Sequence, residues 1–182
     1  FWVSYADMLV LAGAKPKIVH APASQGFKLT AEQLADALDA RSRGVILNSP
    51  SNPTGAAYTQ SELQGLAEVL VAYPDVAIVV DDVYEMLYFA GPRPAHLLKL
   101  APELRDRTVI VNSVSKTYAM TGWRLGYTAA PVAAIKAMGT IQGQSTSNPT
   151  SIAQAAAAEA LAGPQDELPP MVEEFRRRRD YV

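Results

Sequence analysis

Apolar and polar positions follow two rhythms along this chain. Short β-branched runs at Gly44-Val45-Ile46-Leu47-Asn48, Val76 to Val80, Thr108-Val109-Ile110-Val111 and Gly126 to Ala129 read as strands. Lys17 to Ala21 reads as a further short one. Between them the period lengthens. Tyr5 to Leu11 is apolar at helical spacing and stops at Gly13. Thr30 with Gln33, and Thr59 with Glu62, form the two halves of capping boxes, opening helices that run to about Ala40 and about Ala72. Pro74-Asp75 breaks the second, and residues 91–107 form a Pro-rich connector with one short helix near Ala95 to Leu100. Pro131 opens a helix to about Met138. The polar, Gly-containing stretch 139–148 reads as loop, and an Ala-rich helix follows from Pro149 to near Gly163-Pro164. Strands alternating with helices predict an α/β sheet with helices on both faces and no domain boundary inside the chain.

Composition narrows the class without choosing a function. The chain has 182 residues, 49% hydrophobic and 19% charged, which suits one globular domain with a real core. A net charge of −2 gives no global field for nucleic acid or a membrane surface. There is no Cys, so there is neither a disulfide frame nor a thiolate metal site. His20 and His96 have no carboxylate or second His close by in sequence, so both read as structural or surface residues and no metal is expected. No apolar run reaches membrane-spanning length, and no signal peptide is visible. Arg176 to Arg179 is a basic run, but Met171, Val172 and Phe175 supply an apolar stripe beside it, so it reads as the solvated face of a long helix. The chain opens on Phe1 and closes on Val182 with no helix stop signal, which predicts a segment cut from a longer protein.

The chemistry concentrates between Ser113 and Tyr127. Lys116 lies just past a buried strand, where open α/β sheets place their ligands. Ser113 and Ser115 leave space beside it, and Arg124, a planar fork suited to phosphate, follows eight positions later. A nucleophilic amine and a phosphate clamp on one segment suggest a phosphorylated aldehyde held as an imine. Ser113, Val114, Ser115, Lys116, Ala119, Met120, Gly122, Arg124, Leu125 and Gly126 together resemble the pyridoxal-phosphate (PLP) attachment signature of class I aminotransferases. Asp81-Asp82-Val83-Tyr84 resembles the family's Asp-acidic-aliphatic-Tyr motif, and Asn52-Pro53-Thr54-Gly55 its Asn-Pro-x-Gly. Trp2-Val3-Ser4-Tyr5 and Gln144 to Gln154 are similar to the bacterial aspartate/prephenate aminotransferase branch.

The resemblance implies a set of roles. Lys116 is the imine lysine and general base, Asp81 the partner of the pyridine nitrogen, and Tyr84 and Asn52 the donors to the phenolic oxygen. Ser113, Ser115 and Arg124 would hold the phosphate, and Trp2 would lie over the ring. The implied fold is the large domain of fold-type I PLP enzymes, spanning residues 1–182: a mostly parallel seven-stranded sheet, incomplete at both ends. The family's glycine-rich phosphate loop and its small-domain arginine for the substrate carboxylate match nothing in this sequence. The expected function is transfer of an amino group between an aspartate-like or aromatic amino acid and a 2-oxo acid, in a cytoplasmic homodimer. The PLP-binding effector domain of a transcription regulator, and an inactive truncated chain, are the alternatives. A helix-turn-helix upstream would favour the former; the Trp2 segment argues against it.

Overall fold

Four strands in a computed structural model, which describes residues 1–89 and 91–182, are hydrogen-bonded in the order β1-β2-β3-β4. They are β1 (Gly44–Asn48), β2 (Ala77–Asp81), β3 (Thr108–Ser113) and β4 (Gly126–Ala129). β1 reaches β2 through a helix, the connection that parallel neighbours need. β3 and β4 run antiparallel, with Ser113 opposite Gly126 and Asn112 opposite Tyr127. The sheet expected from sequence had seven strands; the described residues form four. Lys17 to Ala21 is not among them. Ile18 is 63% exposed, and the segment is tied down by a side chain instead: Lys17 Nζ donates to the Ala37 carbonyl at 2.6 Å.

The backbone divides into two compact units. The first holds residues 1–78 and 94–107. Its helices are α1 (Ser4–Leu11), α2 (Ala31–Ala37), α3 (Gln60–Val71) and the single turn α4 (Leu97–Leu100), followed by a 3-10 stretch at Pro102–Arg107. Both capping boxes form as the sequence pattern requires, Thr30 with Gln33 and Thr59 with Glu62. α2 ends earlier than its pattern suggests, with Leu38 already extended. Leu66, Leu70 and Leu104 are fully buried in this unit, each worth roughly 2 kcal/mol in area removed from water. Arg107 closes the core from below. Its guanidinium donates at 2.6 Å to the carbonyl of Leu70, in the last turn of α3, and at 2.6 Å to that of Val76. His96 caps α4, its Nδ1 accepting from the Leu98 amide at 3.1 Å.

The second unit holds residues 79–93 and 108–182, so β2 starts in one unit and ends in the other. Besides β3 and β4 it contains α5 (Val114–Thr117), α6 (Val132–Gly143), α7 (Ser151–Ala162) and α8 (Leu168–Tyr181). Val114, Leu125, Ala153 and Ala157 form its core, with Tyr118 and Met120 packed against them. The alanines, four apart on α7, let that helix approach α5 closely. α6 runs to Gly143 rather than stopping near Met138, so much of the expected 139–148 loop is helix. Ile135, Met138 and Ile141 recur at helical spacing across the expected boundary, a continuation of the helical pattern past Gly139. Along α8, Arg176 pairs with Glu173, Arg177 and Arg178 with Glu174, and Arg179 with Asp180, so three carboxylates of the same helix offset most of the basic run. Hydrogen bonds from Arg177 and Arg178 hold the Glu174 carboxyl down to about 2. Among the described residues no helix is long and apolar enough to cross a membrane.

Two predictions follow from the first unit. Arg107→Met leaves two carbonyls without their donor and is expected to lower stability by roughly 2 kcal/mol in urea unfolding; an unchanged midpoint would remove Arg107 from the account of the core. Glu62 carries the second. Burial works to raise its pKa, but hydrogen bonds from Lys28 and Thr59 outweigh it and hold the carboxyl below its ordinary 4.5. A depressed carboxylate stabilises fully above its unfolded pKa and loses that contribution as pH falls through the folded one. Glu62→Gln is therefore expected to be less stable than the parent near neutrality, with the difference closing as pH falls below the ordinary 4.5 and through the depressed folded value. A gap independent of pH would show that the ionised form of Glu62 contributes nothing.

Candidate active site

β3 ends by turning sharply into α5, and Ser113 makes the turn. It is the N-cap of α5, with its hydroxyl accepting from the Ser115 amide at 2.9 Å. The same hydroxyl donates to the Leu125 carbonyl at 2.8 Å. Val114 and Thr117 point inward and are buried, which leaves Ser115 and Lys116 half-buried on the remaining side of the single turn. The Lys116 ammonium sits 5.7 Å from the centre of the Tyr84 ring, within cation–π range.

Tyr84 arrives from the neighbouring strand end. β2 closes at Asp81, whose Oδ1 accepts from the Val83 amide at 3.2 Å. The Asp82 amide donates to the Val111 carbonyl at 2.9 Å, so the ends of β2 and β3 lie side by side. The chain then folds into a turn, with the Glu85 amide on the Asp82 carbonyl and the Leu87 amide on that of Tyr84, both at 2.8 Å. Asp81, Tyr84 and Lys116 thus emerge from adjacent strand ends. Arg124 lies on the return path from α5 to β4. A 3-10 turn at Thr121–Trp123 delivers it in the left-handed region, φ +53°, with its Nη1 donating to the Thr121 carbonyl at 2.7 Å. The next residue, Leu125, is buried and carries the carbonyl that Ser113 grips, and Gly126 then pairs with Ser113 across the strands. A Cβ at Gly126 would stand 3.1 Å from the Asn112 carbonyl oxygen, closer than the pairing tolerates. An open cavity of about 730 Å³ lies beside Arg124, lined by Trp123, Gln142, Thr146, Asn148 and Ile152 among others; Lys116 and Asp81 do not line it.

Two of the residues singled out in the sequence belong to the first unit. Asn52 follows β1 in a turn, its amide held by Asn48 Oδ1 at 2.9 Å, and the Asn52–Pro53 bond is cis, as is Ser49–Pro50. Trp2 is 40% exposed and meets Tyr5 edge-on at 5.7 Å.

Comparison with known proteins supplies what geometry alone does not. The family model for class I and II aminotransferases matches residues 1–182. This chain belongs to the class I and II aminotransferase family. An aspartate/prephenate aminotransferase of Cereibacter sphaeroides is 57% identical over 182 residues, which is 100% of this chain and 46% of the relative. An aspartate aminotransferase of Rhizobium meliloti is 50% identical over the same span, 44% of its own length. The crystal structure of the aspartate aminotransferase from Rhizobium meliloti superposes with a TM-score of 0.95 at 50% identity, covering 100% of this chain and 45% of that one. That of Thermus thermophilus aspartate aminotransferase with maleate gives 0.89 at 38% identity, covering 99% and 47%. The chain therefore spans about half the length of the relatives it matches, and its α/β fold is that of the aminotransferase large domain.

For an aminotransferase of this family the donor set fits a phosphorylated pyridine aldehyde. A half-buried amine, a carboxylate at a strand end, a phenol, the Ser115 hydroxyl and an exposed guanidinium are groups such a cofactor requires; Ser113, expected from sequence to hold the phosphate, instead donates its one proton to the Leu125 carbonyl. Two residues of this neighbourhood went unassigned in the sequence, Asn112 and Glu85. Asn112 had a signal: a polar amide ending the apolar run 108–111 of a buried strand. Glu85 had none, since a carboxylate beside a tyrosine in a turn is ordinary.

The prediction from this geometry concerns close approach. Gly126→Ala forces β4 away from Asn112 and stretches the bond between Ser113 and Leu125. It is expected to cost about 1–3 kcal/mol in denaturant unfolding; an alanine accommodated without loss would mean that the two strand ends are not in tight register.

Proposed function

We propose that this chain is the central part of the PLP-binding large domain of an aminotransferase, a single domain over residues 1–182 that continues beyond them. Its four strands would belong to a mostly parallel seven-stranded sheet, and the intact protein would be a cytoplasmic homodimer. Its substrates would be an aspartate-like or aromatic amino acid and a 2-oxo acid. The names of the relatives support that substrate class, two of them being aspartate/prephenate and aspartate aminotransferases. The observation that carries the reading is the Lys116 amine half-buried against Tyr84, on a turn that Ser113 fastens to the Arg124 loop.

Pyridoxal phosphate, when bound, supplies an electron sink for the substrate's α-carbon. The chain's own residues do the rest. Lys116 would supply the amine that takes the proton from the substrate's α-carbon and delivers it to the cofactor's exocyclic carbon, across the nitrogen between them. Asp81, as a carboxylate, favours the protonated form of a pyridine nitrogen set against it. Tyr84 and Asn52 are donors for a phenolic oxygen. Arg124 provides a bidentate fork for phosphate and Ser115 a hydroxyl, whereas the one proton of the Ser113 hydroxyl is already given to the Leu125 carbonyl, so Ser113 would serve by holding the turn. Trp2 has a flat indole face to lay against an aromatic ring.

The test uses the full-length protein with PLP, its absorbance recorded before and after borohydride, followed by peptide mapping. Wild type is expected to carry the cofactor covalently fixed at Lys116, and Lys116→Ala to carry none. A variant that keeps the reducible band shows that Lys116 has been wrongly assigned. A panel of amino acids with 2-oxoglutarate then reads the donor class.

A further inference from the structure

Asn112 is a buried amide in the last turn-ward stretch of β3, 6% exposed, and both ends of that amide are engaged. Its Oδ1 accepts from the Ser113 amide at 2.7 Å, and its Nδ2 donates to Glu85 Oε1 at 2.7 Å. Only one orientation of the amide satisfies both, because a backbone N–H needs an acceptor and a carboxylate needs a donor. The second carboxylate oxygen of Glu85 accepts from Arg93 Nη1 at 3.0 Å. Tyr127, opposite Asn112 on β4, packs over this group: burial raises its phenol pKa, and the Glu85 charge adds to the rise. So one bond between two side chains joins two segments. Glu85 follows Tyr84 directly, and Asn112 precedes the Ser113 turn that carries Lys116.

We propose that Glu85 and Asn112 are positioning residues that hold the Tyr84 ring against the Lys116 amine. Neither touches the amine. Each fixes the backbone beside a residue that does the chemistry, and a charge-assisted bond at 2.7 Å from a buried amide is the strong kind of link. The partly exposed ion pair of Glu85 with Arg93 is the weak kind, with side chains 34% and 49% exposed. The polar amide in the strand is explained by the same bond, since a buried amide without partners would be costly. The catalytic consequence rests on the aminotransferase reading; the mechanical coupling does not.

The experiment uses full-length protein and begins without cofactor. Amide hydrogen exchange is followed in peptides spanning 82–89 and 112–118. Asn112→Ala is expected to speed exchange in the first segment, and Glu85→Ala in the second, by roughly 10- to 100-fold, the factor set by losing a hydrogen bond to a charged group. Glu85→Gln, which keeps an acceptor in place, is expected to restore most of the protection, and Arg93→Ala to leave both segments as they were. With PLP and substrates, Glu85→Ala is expected to lower kcat at least tenfold while the KM for the amino donor stays within about twofold. Should Asn112→Ala fail to fold, Glu85→Ala, at a partly exposed site, still reports. Exchange that changes only in the mutated segment, or a kcat that is unmoved, overturns the proposal. Crossed exchange in a full-length protein that does not transaminate supports the coupling and overturns the function proposed above.

Discussion

A single hydroxyl sets the geometry of the second unit. Ser113 accepts from the helix turn ahead of it and donates to the chain returning twelve residues later, so α5 and the approach to β4 are fixed by one atom. The two bonds are cooperative in the ordinary sense that a hydroxyl already accepting is a better donor. Around this atom everything else has little freedom. Gly126, opposite Ser113, has little room for a side chain, because a Cβ there would stand 3.1 Å from the Asn112 carbonyl oxygen. Leu125 must turn inward because its carbonyl faces Ser113, and its burial against Val114, Ala153 and Ala157 secures the arrangement from behind. Lys116 then has its position given to it.

The first unit solves a different problem with the same economy. α3 must stop, the chain must turn, and β2 must begin within a few residues. The carbonyls released at that junction are collected by one guanidinium, Arg107, which lies some thirty residues further on. Burial works to lower the pKa of that group, yet it stays far above any working pH, so the bond holds wherever the protein is folded. At the other end Thr59 and Glu62 satisfy the amides that open α3, and Lys28 neutralises Glu62. A helix closed at both ends by side chains presents a rigid face to α2 and α4, which pack against it.

What the sequence disclosed, and what it withheld, divides along the range of the interactions. Thr30 with Gln33 and Thr59 with Glu62 act over three residues, and both helix starts were legible because the partners sit within one turn. All four strands were legible within a residue or two for a similar reason: a short, mostly apolar and β-branched run has few other uses. Lys17 to Ala21 has the same look but no ladder, and only the tertiary setting decides that. Of the stretch 139–148, residues 144–148 are loop as expected, while 139–143 continue α6 along the Ile135–Met138–Ile141 spacing despite their glycines. Lys116 and Arg124 stood out through a long pattern, not through either residue alone. The bond from Asn112 to Glu85 spans 27 residues, and no local rule points to it.

The eight-residue interval between Lys116 and Arg124 can be understood from the backbone. Ala119 and Arg124 are both left-handed, at φ +54° and +53°, and neither is glycine. Each is expected to cost on the order of 1–2 kcal/mol relative to the right-handed alternative. Two such residues five apart reverse the chain twice, once on leaving α5 and once on entering β4. A looser loop could avoid both, but it would deliver Leu125 too late or too far for Ser113 to hold. The strain is therefore the consequence of bringing a guanidinium back to the strand end that an amine has just left. Non-glycine residues kept in that region persist only where their surroundings over-determine them. Here the surroundings are buried Val114 and Leu125, a hydroxyl bonded in both directions, and a glycine admitted for closeness rather than flexibility.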